Sequence, residues 1–93
     1  MADIEVTAAE PGETSTFRVR VSEEGAATEH RITVSEADLL NLGVGYPSAE
    51  DFIRACFEFL LDREPKEQIL ESFDVSVISR YFPEFEREIR RPD

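Results

Sequence analysis

Cysteine and histidine each occur once in the 93 residues, and tryptophan is absent. A single thiol closes no intrachain disulfide and completes no multi-cysteine zinc site. Cations are scarce too, with 10 Lys and Arg against 21 Asp and Glu, a formal net charge of −11. Nine acids and three bases precede Pro47 (−6), and twelve acids and seven bases follow it (−5). The acidity is therefore spread along the chain and does not form a tail. Binding a phosphate backbone draws on Lys and Arg, so neither nucleic acid nor an anionic membrane surface is an expected partner. Long apolar runs are also missing. The longest, Phe57 to Leu61, contains Glu58 and is far too short to cross a bilayer. From Asp3 onward the N-terminus is acidic, without a basic segment leading into an apolar one, so the expected location is cytoplasmic.

What is present suits one globular domain over residues 1–93. Hydrophobic content is 41% and aromatic content 10%, enough to oppose wholesale disorder, and a chain of this length can bury its own core. The expected fold class is α+β. An antiparallel β-hairpin or three-stranded sheet over residues 1–34 would pack against about four α-helices over residues 35–93.

The hairpin rests on two runs of period two. Phe17, Val19 and Val21 share one face, and Ile32 and Val34 share another, with the polar stretch Ser22 to Glu29 reading as the loop between them. Asp3 to Thr7 alternates likewise and is the expected third strand, with Pro11-Gly12 as its turn; left unpaired, it would pair across a dimer instead. Ser35 and Ser48 are each followed by acids, which reads as two helix starts. Gly43 reads as the left-handed residue that ends the first helix. The second helix, from about Ser48 to Arg63, has only a narrow polar stripe of Asp51, Arg54, Glu58 and Asp62. Its remaining surface is apolar, so it is the expected central pillar. Phe57 and Leu61 are the residues it would offer to another chain if its own fold left them uncovered. A short helix is expected near Lys66 to Glu71 and a charged one from Pro83 to Arg90. Asp74 to Phe82 fits either a capped helix or a strand.

Little in the chain points to chemistry. Cys56 lies among Phe52, Phe59 and Leu60, where a thiol is hidden and its pKa raised. His30 is in phase with Ile32 and Val34 and reads as a rim residue bonded to backbone. No metal-ligand spacing and no phosphate-binding glycine loop is visible. No catalytic residue, cofactor or metal is expected, and the reading leans away from an enzyme. The arrangement that stands out is Arg18, Arg20 and Arg31, all the basic residues of the first half, on the outer hairpin face. Either Asp3 and Glu5 neutralise them across strands, or they recognise an acidic partner segment.

The segments FRVRVSEEGAATEHRITVSEADL and FEFLLDREPKEQILESFDVSVISRYFPEFEREI resemble a group of short uncharacterised bacterial proteins. Asp62 to Glu67 and Arg80 to Glu84 are the most distinctive pieces of the likeness, which covers the chain from about Phe17 onward. The resemblance implies a bacterial, intracellular, stand-alone protein and carries no activity, ligand or catalytic residue with it. In order of elements alone the layout is similar to small antitoxin-type proteins. The leading expectation is a non-enzymatic protein–protein interaction or regulatory module, a homodimer being one form of it. The alternatives are a small enzyme or ligand binder with a pocket around Tyr46, His30 and Tyr81, and an acidic inhibitor or nucleic-acid mimic acting on a basic partner.

Overall fold

The structure, a computed structural model, describes residues 2–10 and 14–90. The Pro11-Gly12 turn expected before the hairpin lies outside them. Three strands open the chain: β1 (Asp3–Glu10), β2 (Thr14–Glu23) and β3 (Ala26–Ser35). Helices α1 (Glu36–Leu42) and α2 (Ala49–Leu61) follow, then a 3₁₀ turn (Lys66–Gln68). A short strand β4 (Ser72–Asp74) leads directly into α3 (Val75–Tyr81), and α4 (Phe85–Ile89) closes the described chain. The fold is α+β, as the sequence implied.

The sheet is larger and less uniform than expected. Its order is β1-β2-β3-β4, antiparallel across the first two pairings and parallel between β3 and β4. A parallel neighbour requires a crossover, and α1, α2 and the 3₁₀ turn supply it. That path lays α2 across the sheet. Asp3 to Thr7 does join the sheet, opposite Ser22 to Arg18.

The hairpin loop is much shorter than the polar stretch suggested. Glu23 pairs with Ala26, leaving a two-residue turn in which both Glu24 (φ 53°) and Gly25 (φ 82°) are left-handed. Two positive φ values match the turn whose twist suits a two-residue hairpin. The strands continue past the core on backbone hydrogen bonds, where Ala26, Ala27 and Glu29 are exposed and give no apolar alternation to read.

Caps set the helix starts. Ser35 accepts from the Asp38 N–H (3.1 Å) and Ser48 from the Asp51 N–H (3.2 Å). Asp74 resolves the strand-or-helix ambiguity by serving both. One carboxylate oxygen accepts from the Thr33 hydroxyl on β3 (2.6 Å), and the other from the Ser76 N–H (3.0 Å) at the start of α3. Gly43 corrects its expected role: its φ is −96°, so it is not left-handed. A Cβ there would come within 2.9 Å of the Leu39 carbonyl oxygen and 3.3 Å of the Phe52 ring, so close packing is what demands glycine.

The core lies between the sheet and α2. Phe17, Val19, Val21, Ile32 and Val34 face Phe52, Ile53, Cys56 and Phe57. Phe59 and Leu60, on other sides of α2, are also buried, and Phe59 meets Phe85 edge-on with ring centroids 5.1 Å apart. The helix is covered on nearly its whole circumference, as its narrow polar stripe required. Arg63 fastens its C-terminal end. Its guanidinium lies 3.6 Å over the Phe59 ring and pairs with Glu84 and Glu88, both at 3.2 Å.

Candidate functional site

The two residues with the strongest chemical potential are both held as structure. Cys56 is fully buried, and loss of water around it pushes its thiol pKa far up, so the nucleophilic thiolate does not form at ordinary pH. His30 is buried against Phe57, with ring centroids 5.4 Å apart. Its Nδ1 lies 2.8 Å from the Leu70 carbonyl oxygen and its Nε2 2.8 Å from the Thr28 hydroxyl. A carbonyl only accepts, so Nδ1 carries the hydrogen, and in the uncharged ring Nε2 accepts from Thr28. Both nitrogens are occupied, leaving neither for a thiol or a substrate. The ring is a latch between β3 and the segment entering β4.

Tyr46, His30 and Tyr81 do not converge. Tyr46 donates to the Ile89 carbonyl oxygen (2.6 Å) and stacks at a tilt on Phe52. Tyr81 is 69% exposed at the end of α3. The three line three different depressions. Among the described residues no group of three or more His, Cys, Asp or Glu side chains is placed to hold a metal ion. No helix in them is long and apolar enough to cross a membrane. Every buried side-chain nitrogen and oxygen described has a partner, so no polar group is held desolvated and waiting for a ligand.

Of the residues expected to meet a partner, Phe57 is corrected. It is completely buried between His30 and Phe73, so its own sheet takes the surface that the sequence left open for another chain. Leu61 is half-buried and packs against the core. Arg18, Arg20 and Arg31 are all exposed on the outer face of the sheet, on the side away from the helices. Among the described residues, neutralisation across strands reaches only one of them. Arg20 faces Glu5 on β1 and lies 3.8 Å from Glu29 on β3. Arg18 faces Thr7 and Arg31, and Arg31 faces Arg18 and Ser72.

A feature that single-sequence reasoning missed is an apolar groove where α2, the 3₁₀ turn, β4 and α3 meet. Leu60, Ile69 and Ile78 form its buried floor, and half-buried Phe73, Val77 and Phe82 its walls. Leu70 (49% exposed) and Tyr81 stand open to solvent at its margin. Glu64 and Gln68 supply the polar rim, and no cation among the described residues lines the groove. Its volume is about 250 Å³, below the roughly 300–1,000 Å³ of pockets that enclose a whole small ligand. That space suits one or two large side chains. The only advance signals were Val77, Ile78, Tyr81 and Phe82 at helical spacing; the groove itself depends on β4 docking beside β3, which no local pattern reveals. No family model, curated protein or solved structure matches the chain.

Proposed function

We propose that the protein is a non-enzymatic protein–protein interaction module whose groove receives a partner segment bearing one or two large apolar side chains flanked by Lys or Arg. The observation that carries this reading is the groove itself: an apolar concavity whose polar rim is Glu64 and Gln68, sized for side chains and left open with Leu70 and Tyr81 at its edge. Contiguous exposed apolar patches rimmed by polar groups mark interaction surfaces. The partner's charge follows from complementarity. The chain carries −11, and the rim residue Glu64 has no ion pair among the described residues. A basic flank gains from that field before contact, and an acidic one is repelled.

The reading is tested by selecting binders from a displayed random-peptide library on the full chain. Recovered sequences should combine a Phe, Leu or Trp anchor with flanking Lys or Arg, and Leu70→Glu or Tyr81→Ser should abolish their binding. Both positions are exposed, so the variants should fold. Binders without basic flanks, or binders indifferent to both substitutions, would refute the reading. Light scattering after size exclusion, over a range of concentrations, separates a second copy of the chain as occupant. A dimer that Leu70→Glu dissociates would place the homodimer in the groove and overturn the heterologous partner.

A further inference from the structure

The outer face of the sheet has a row that the groove reading leaves unexplained. Read across the four strands it runs Thr7, Arg18, Arg31, Ser72. Two arginines are directly opposed in the strand register, with a hydroxyl-bearing residue at each end and no carboxylate in the row. Directly opposed residues on one sheet face have Cβ atoms about 4.5–5.5 Å apart, and like charges there destabilise the pairing. Among the described residues neither guanidinium has an ion pair or hydrogen bond, whereas Arg54 and Arg63 are both paired. With 21 acids to 10 bases, the chain has ample carboxylates to neutralise such a pair, yet it holds the two cations together.

We propose that Arg18 and Arg31 form a two-pronged clamp for the carboxylates of an acidic peptide segment lying extended across the outer sheet face. Each guanidinium presents a planar fork that matches a carboxylate through two parallel hydrogen bonds. Thr7 and Ser72 flank the pair with hydroxyls able to donate to the same oxygens or to the peptide backbone. The surroundings select the anion. Glu29 and Glu71 line the same shallow depression as Arg18, Arg31 and Ser72, so two negative charges concentrated on one phosphate group meet more repulsion there than carboxylates spaced along a peptide, one to each guanidinium. The field of the whole chain opposes every anion at long range, and a nucleic-acid polyanion, charged at each nucleotide, more than a short acidic segment. This surface lies on the opposite side of the sheet from the groove, so its failure and the failure of the groove reading are separable.

The test is an NMR titration of the full chain, following the arginine Nε–H signals as acetyl-triglutamyl amide is added to millimolar concentration at low salt. Inorganic phosphate is titrated in parallel. The Arg18 and Arg31 signals should move together and saturate, and Arg18→Gln and Arg31→Gln should each weaken binding about tenfold or more. Tyr81→Ser, which alters only the groove, should leave the titration unchanged. Because like charges oppose one another, both glutamine variants should melt at or above the parent temperature. A lower melting temperature in both would mark the pair as structural and overturn the clamp. Equal movement of Arg54, Arg80 and Arg87, absence of saturation, or saturation by phosphate at a lower concentration than the peptide would do the same.

Discussion

Phe57 is the position at which a reading of the helix alone and the folded molecule diverge most, and truncating it measures the difference. In the structure the ring is wholly buried, touching His30 at a centroid distance of 5.4 Å and Phe73 at 5.9 Å. Replacing a buried phenylalanine by alanine removes its transfer energy and leaves a cavity, together about 3–5 kcal/mol. A domain of this length is held by roughly 5–14 kcal/mol in total, so Phe57→Ala should remove between about a fifth and the whole of that stability. For a chain of this size each 1 kcal/mol moves the melting temperature by about 4–8 °C, which gives a fall of at least about 12 °C. Leu61→Ala, at a half-buried position on the same helix, should cost about 1 kcal/mol. Urea unfolding followed by circular dichroism, with light scattering on the same samples, reads both quantities. If Phe57→Ala left the unfolding free energy within about 0.5 kcal/mol of the parent while changing the oligomeric state, Phe57 would be an interface residue. The placement of α2 against the sheet would then be wrong.

Three further outcomes follow from local chemistry. Glu24 holds a left-handed backbone that favours Asn or Gly, so Glu24→Asn should raise stability by about 0.5–1 kcal/mol in thermal melts, and a loss would contradict the two-residue turn. Burial opposes the charge on Asp74, but hydrogen bonds from Thr33 and Ser76 outweigh it and hold the carboxyl below its ordinary value of 3.8. A depressed folded-state pKa contributes stability that is present above pH 3.8 and disappears as pH falls below it through the folded value. Asp74→Asn should therefore be less stable at neutral pH and lose less on acidification; parallel acid-unfolding curves would refute this. Cys56 should resist a disulfide-exchange reagent at pH 8 in the native protein and react at once in urea, and prompt native reaction would show that the core is open at that helix.

Much of the architecture was legible because it is written in local period and caps. Period-two alternation located all three long strands, and Ser35, Ser48 and Asp74 mark real helix starts. The narrow polar stripe on α2 correctly identified the central helix, because a helix with so little polar surface has to be enclosed. What escaped was whatever depends on two distant segments meeting. Strand β4 has only three residues, too few for alternation to register, and exists because Ser72 to Asp74 finds the free edge of β3. The groove, the burial of Phe57 and the His30 bond to Leu70 all follow from that one meeting. Arg18 facing Arg31 is likewise a matter of register, fixed by the two-residue turn that the polar composition concealed.

The sheet ends in two unequal margins. On one side β4 offers three residues to a neighbour, while on the other β1 offers eight, and the Arg54 guanidinium rests 3.4 Å from the Ile4 carbonyl oxygen of β1. Endless stacking of molecules strand upon strand needs a usable border at both ends of every copy. Here one described border is a stub of three residues and the other runs to eight, so the two do not match as strand-upon-strand growth of identical copies requires.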